Sequence, residues 1–227
     1  MWGRSIWLVA VLCTGACFVD GGGDARECDP GFVPDGNLCV EATGQLDVAW
    51  DPQPDCPDGA TTTQVISVDG TGTEYYDLFW CDDYSGITGP LPLDDYEVYV
   101  NLTDTDELVL FAQSFVQDTE LLVPEDTAVL DFDFIADRGF LAASWTVSDS
   151  CEGAGITTME LVAGEAVLAS APCTDESLET PPVELGSLEV YLRAVEGDGS
   201  TVVGTSTVRS TELEFGNQLV DLGDFPF

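Results

Sequence analysis

The feature that most constrains this chain is that its second half repeats its first, cysteines included. Leu46-Asp-Val-Ala-Trp50 is followed after five residues by Cys56, and Leu141-Ala-Ala-Ser-Trp145 is followed after five by Cys151. The offset here is 95 (145 − 50), and Thr62-Thr63 falls on Thr157-Thr158 at the same spacing. From Cys81 the offset becomes 92 (173 − 81), and positions 81–121 then align with 173–213 without a gap. Fifteen of those positions are identical, among them Thr88/Thr180, Glu97/Glu189, Tyr99/Tyr191, Ser114/Ser206 and Leu121/Leu213. A chain copied in this way must be built from a unit of about 90 residues that buries its own core.

The duplication also orders the eight cysteines, at 13, 17, 28, 39, 56, 81, 151 and 173. Each copy owns two, so independent copies pair Cys56 with Cys81 and Cys151 with Cys173. Cys28 and Cys39 are left for each other. Loops of this size each remove denatured-state entropy worth about 3 kcal/mol, a large term for units this small.

Within each copy the dominant pattern is alternation. Tyr96, Val98, Val100 and Leu102 point one way, with Asp95, Glu97, Tyr99 and Asn101 between them; Leu188, Val190, Leu192 and Ala194 repeat the pattern around Glu189, Tyr191 and Arg193. Period-two patterning marks half-buried strands. Further strands are expected over Gln45–Trp50, Thr62–Val68, Tyr75–Cys81, Leu108–Val116 and Ala128–Phe134, with counterparts in the second copy. Turn signals such as Asp69-Gly70, Gly89-Pro90 and Gly197-Asp198-Gly199 separate them, and no stretch has a helical period. The expected class is all-β, two tandem antiparallel β-sandwiches over 44–136 and 137–227.

The layout resembles immunoglobulin-like domains, including fibronectin type III and carboxypeptidase-regulatory or transthyretin-like variants. Leu93-Asp-Asp-Tyr96-Glu-Val-Tyr99-Val resembles the G-x-Y-x-V-x-V strand of the regulatory-type modules, with Asp94 where the glycine usually stands. Ahead of the copies, Cys28-Asp-Pro-Gly31-Phe32, closed by Cys39, resembles the last loop of an EGF-like module and reads as a stapled spacer within a 17–43 tether.

The first residues read as an address. Arg4, the apolar run Ile6 to Leu12 and the small residues before Cys17 describe a secretory signal over 1–16. The run is far shorter than the roughly 20 residues a membrane-spanning helix needs. Thr14-Gly15-Ala16-Cys17 resembles the lipobox of bacterial lipoproteins, with Thr14 in place of the usual leucine. That resemblance implies cleavage before Cys17, lipid on its sulfur and amine, and attachment to a membrane; Phe18 in place of aspartate favours the outer membrane or cell surface. As a whole the chain is similar to acidic lipoproteins common in myxobacteria and their relatives.

Charge narrows the chemistry. Forty-three acidic residues face five arginines, with no lysine and no histidine, for a formal charge of −38. Nucleic acid is excluded as a partner by repulsion. A Ser-His-Asp triad, a His-bearing zinc site and a lysine Schiff base are all excluded by composition. With the cysteines paired, no thiolate nucleophile remains, and catalytic residues are not expected.

No cofactor is required by any motif. Calcium is the one cation the acids could take, at Asp104-Thr-Asp106-Glu107, Asp94-Asp95 or Asp131-Phe-Asp133, with Asp198 the counterpart of Asp106. Glu97, Tyr99, Glu189 and Tyr191 are the candidate binding surface, because the solvent-side Glu-x-Tyr pair is retained in both copies. The expected role is a non-catalytic, lipid-anchored surface protein whose modules bind a protein or glycan or act as spacers. A calcium-dependent adhesion or glycan-binding protein is the alternative, and an accessory subunit of an envelope enzyme or secretion complex the third.

Overall fold

The computed structural model describes residues 28–29, 31–35, 38–148, 150–197, 199 and 201–227. The expected signal peptide, Cys17 and Asp198 lie outside the described residues. The chain divides into a unit ending at Val40 and a body from Glu41 to Phe227.

In the first unit, β1 (Phe32–Asp35) and β2 (Leu38–Glu41) form a two-stranded sheet. The Cys28–Cys39 disulfide spans it, with Cα atoms 5.7 Å apart. A lone hairpin is marginal in water, so the covalent link supplies what a core of this size cannot.

The body contains the two copies, strand for strand. The first runs through β3 (Thr43–Gln53), β4 (Thr62–Asp69), β5 (Glu74–Trp80), β6 (Ser85–Ile87), β7 (Leu91–Pro92), β8 (Asp95–Thr103), β9 (Leu110–Gln113), β10 (Gln117–Glu120) and β11 (Thr127–Ile135). The second runs through β12 (Arg138–Thr146), β13 (Thr158–Ala163), β14 (Ala166–Pro172), β15 (Ser177–Glu179), β16 (Val183–Glu184), β17 (Gly186–Val195), β18 (Val202–Thr205), β19 (Arg209–Leu213) and β20 (Leu219–Pro226). One sheet of the first copy is ordered β5-β4-β8, with β9 and β10 both pairing the far side of β8; the other is β11-β3-β6, with β7 also on β3. The second copy repeats this as β14-β13-β17, with β18 and β19 on β17, and β20-β12-β15, with β16 also on β12. The fold is all-β in tandem sandwiches.

One ladder per copy departs from the expected antiparallel pairing: β3 lies parallel to β11, and β12 parallel to β20. First and last strands of a copy run the same way, so they can be neighbours only because the rest of the copy is the crossover between them. The single strand expected over Leu108–Val116 is also shorter. It is β9 alone, because Leu108 and Val109 donate their N–H groups to the Asp104 carboxylate (2.8 and 3.2 Å) and close a turn.

Register differs by one residue from the sequence alignment at the second strand. Cys81 N–H bonds the Thr61 carbonyl, and Cys173 N–H bonds that of Thr157, so the true offset there is 96 (157 − 61). The loop after the cysteine is one residue longer in the second copy, which shifts the strand. The drop to 92 is then made at the hairpin: Asp69 to Thr73 in the first copy is a folded loop, whereas β13 and β14 are joined by the two residues Gly164-Glu165, with Gly164 at φ +58°.

The retained identities carry out the same work twice. Disulfides join Cys56 to Cys81 and Cys151 to Cys173, the pairs assigned by the duplication. The Trp50 indole donates to the Cys81 carbonyl (3.0 Å) and that of Trp145 to the Cys173 carbonyl (2.8 Å). The Thr88 hydroxyl accepts from Leu46 N–H, and the Thr180 hydroxyl from Leu141 N–H, each at 2.9 Å. Ser114 and Ser206 accept from Val100 and Leu192 N–H (2.8 and 2.9 Å) where the chain leaves the ladder. The hydroxyls satisfy backbone N–H groups, and the cysteine carbonyls satisfy the indole N–H groups, that would otherwise be buried without a partner.

Each copy has its own core, Leu46, Val48, Trp50, Val98, Val100 and Phe132 in the first and Leu141, Trp145, Met159, Val190, Leu192 and Phe225 in the second. The cores are packed differently over one frame. A Cβ on Gly86 would stand 2.2 Å from the Phe79 ring, which needs that space to tilt against Trp50 (centroids 5.6 Å apart). In the second copy the corresponding residues are Leu178 and Ala171, so the bulk has moved across the inter-sheet gap. Tyr96 has no counterpart. Its hydroxyl donates to the Pro92 carbonyl (2.7 Å), pinning the entry to β8, whereas Leu188 is purely apolar.

The copies meet at a small joint. Gly216 N–H donates to the Phe111 carbonyl (2.7 Å), the Gly216 carbonyl accepts from Gln113 N–H (3.1 Å), and Asn217 Nδ2 donates to the Gln113 carbonyl (3.1 Å). The β19–β20 loop therefore sits on the open edge of β9. Phe115 and Phe140 pack beside it with centroids 6.2 Å apart.

Candidate functional site

Two concavities of the body occupy equivalent places, over the outer face of β8 and β10 and over that of β17 and β19. The first, about 810 Å³, is lined by Asp69, Asp95, Glu97, Asp118 and Glu120 among others. The second, about 450 Å³, is lined by Ser187, Leu188, Glu189, Ser210, Thr211 and Glu212. Both are shallow depressions open to solvent.

Register explains their character. In the first copy Glu97 stands opposite Asp118 and Asp95 opposite Glu120. Like charges directly across a ladder repel. In the second copy each pair has lost one charge: Glu189 faces Ser210, and Ser187 faces Glu212, to which its hydroxyl donates (3.3 Å). Glu97 and Glu189 are exposed, as expected from the alternation.

Tyr99 and Tyr191 are half-buried and do something else. Tyr99 lies opposite Ile66 and Tyr191 opposite Val162, both residues fully sequestered on the outer faces of their sheets. As direct cross-strand neighbours, each tyrosine and its aliphatic residue form a packing pair on that face. Desolvation raises the Tyr99 hydroxyl above its ordinary pKa, with the Glu74 charge adding to it. The paired Glu-x-Tyr motif thus brings together a solvated carboxylate and a structural ring in each copy; the two motifs themselves lie in different sheets.

The acidic clusters turn toward their own backbone. The Asp104 carboxylate is occupied by Leu108 and Val109 N–H, that of Asp94 accepts from Asp95 N–H (2.8 Å), and Asp131 and Asp133 stand on the solvated face of β11. Among the described residues no three acidic or sulfur side chains converge to hold a metal ion.

Two carboxylates are perturbed in opposite directions. Asp69 is held at a pKa of about 2 by the Thr71 hydroxyl, with Thr73 and Thr71 N–H and the Tyr75 hydroxyl adding to it. Asp77 is raised by burial, only partly offset by Gly89 N–H (2.8 Å). Asp69 closes a turn, and Asp77 fixes the backbone at Gly89.

The sequence reading missed one surface. Tyr76, Leu78 and Trp80 follow each other along the outer side of β5, 51, 52 and 64% exposed. The signal was present in Glu74-Tyr-Tyr-Asp-Leu-Phe-Trp80, where both parities are apolar. Such a run usually means a strand covered on both faces; here it lies at the edge of its sheet.

No protein-family model matches the chain, and no curated protein matches it. Among solved structures it is similar to a cell adhesion protein of Parabacteroides distasonis (8% identity, 83% of this chain and 95% of that one, TM-score 0.32). It is also similar to the fimbrial anchor protein Mfa2 of Porphyromonas gingivalis (11%, 76% and 83%, 0.30). The TIE protein of Bacillus anthracis is similar as well (11% identity, 83% of this chain, TM-score 0.31), and this chain spans 35% of that one. Likeness at this level assigns neither family nor activity.

Proposed function

We propose that this is a non-catalytic surface protein, held to a bacterial envelope by lipid on Cys17, whose two sandwiches serve as an interaction module. The observation that supports this reading is the state of its cysteines. All six from Cys28 onward are joined in pairs, which suits an oxidising, exported location and leaves them no nucleophilic role. The sequence has no histidine or lysine, and the concavities over β8/β10 and β17/β19 are open and solvated, with no enclosed pocket around their carboxylates.

The tether is tested by mass spectrometry of the N-terminal peptide from membranes of the native host, with Cys17→Ser alongside. The expected result is a peptide beginning at Cys17 with acyl chains, and release of the Cys17→Ser protein into the soluble fraction. An unmodified Cys17, or a mature start elsewhere, contradicts tethering.

A further inference from the structure

The duplication serves as an internal control: what the frame needs is kept in both copies, and what one copy alone carries has another cause. By that measure β5 and β14 are the most unequal pair. β14 has Leu168 and Ser170 at the positions of Tyr76 and Leu78 and ends in Pro172, at the position of Trp80 (172 − 80 = 92). Proline and small residues are how proteins blunt an edge strand. β5 carries Tyr76, Leu78 and Trp80 instead.

The backbone of β5 points the same way. Cys81 N–H bonds β4's side of the ladder, through the Thr61 carbonyl (3.0 Å), so its neighbour must face outward. Trp80 N–H does so, reaching only the Asp83 carboxylate at 3.4 Å. By alternation Tyr76 and Leu78 turn their backbone groups to the same free side. Among the described residues no strand pairs with that side. Unpaired backbone and exposed apolar side chains therefore coincide on the same residues.

Charge selects what could cover them. The first copy, 44–136, contains no lysine, arginine or histidine. Glu74, Asp82 and Asp83 flank the row, and Glu107 holds Gln64 on the same outer face (2.8 Å). A second copy of this chain, carrying −38 and the same flanks, is repelled.

We infer that β5 is a docking edge for an extended, arginine- or lysine-rich segment of another protein. The segment would add as a strand along Tyr76 to Trp80, with its cationic side chains on the outer face, their heads over the Tyr76 and Trp80 rings and beside the flanking carboxylates and their stems over Leu78, and its alternate apolar side chains on the opposite face. This deepens the reading of the chain as an interaction module but does not depend on the lipid.

The test uses the full chain carrying Cys17→Ser, so that failure of tethering and failure of docking stay separate. A seven-residue peptide alternating Arg and Val is titrated against it, with a Glu-Val peptide as control, following Trp fluorescence and amide shifts. The Arg-Val peptide is expected to bind, more weakly as salt rises, shifting the Tyr76 and Leu78 amides, while the Glu-Val peptide does not. Leu78→Pro removes the outward N–H together with the exposed Leu78 side chain but no N–H of the β4–β5 ladder, and is expected to weaken binding at least tenfold, with the melting midpoint little changed. Should Leu78→Pro not fold, Trp80→Pro, the residue the second copy uses there, is the replacement. Absence of binding, equal binding of both peptides, or undiminished binding by a folded proline variant overturns the inference. So does concentration-dependent self-association of the wild type that the proline abolishes.

Discussion

Asp69 and the buried hydroxyls show how little of this fold rests on charge despite its acidity. Asp69 accepts from Thr71 and Thr73 and so closes the β4–β5 loop. Its folded pKa, about 2, lies below the ordinary aspartate value of 3.8. The contribution is therefore complete above the unfolded value and is lost as pH falls through about 2. A carboxyl NMR titration is expected to place its midpoint near 2, and Asp69→Asn to loosen the loop at pH 6. Three other groups are costs. The hydroxyls of Thr63, Ser67 and Thr103 are buried without a hydrogen-bond partner among the described residues, and the second copy has Met159, Ala163 and Val195 in their places. Burying an unpaired hydroxyl costs about 1–3 kcal/mol. Ser67→Ala and Thr103→Val are each expected to stabilise the protein by about 1 kcal/mol in urea titrations, against the usual destabilising sign for core substitutions.

Elements were legible in the sequence where one face is buried and the other wet. The alternation in β8 and β17 fixed their inner faces, and the copied cysteines fixed their partners, because neither depends on what lies far away. The parallel pairing of β3 with β11 was not legible, since nothing local records which way a neighbour runs. The one-residue shift of β13 was missed because Thr62-Thr63 and Thr157-Thr158 look alike in either register. The candidate Glu97 and Glu189 were placed correctly on the solvated face. The cross-strand pairing of Tyr99 and Tyr191 was hidden, because it depends on Ile66 and Val162 across the ladder. The exchange of Phe79/Gly86 for Ala171/Leu178 belongs at this scale too. Gly86→Ala is expected to destabilise the first copy by about 1–3 kcal/mol through overpacking. Combining Gly86→Leu with Phe79→Ala is expected to cost clearly less than the sum of the two single changes, as measured by a double-mutant cycle.

The whole molecule is a repeated frame with one asymmetric joint. Gly216 has no room for a side chain, since a Cβ there would stand 2.2 Å from the Ala136 carbonyl oxygen. The equivalent loop of the first copy has Pro124, which has no N–H to offer an edge strand, so the joint is made once and is not repeated by that loop. Gly216→Val is expected to break the joint while leaving both cores intact. Small-angle scattering should then show a larger radius of gyration, with the Trp50 and Trp145 indole N–H resonances unmoved. If those resonances collapse together, the copies do not stand as separate folding units. One ancestral unit was copied, and each copy is closed by its own sulfur–sulfur link. Peptide mapping of the non-reduced protein tests it most directly. Cys56–Cys81, Cys151–Cys173 and Cys28–Cys39 peptides are the expected yield. A peptide joining Cys56 or Cys81 to Cys151 or Cys173 would contradict it.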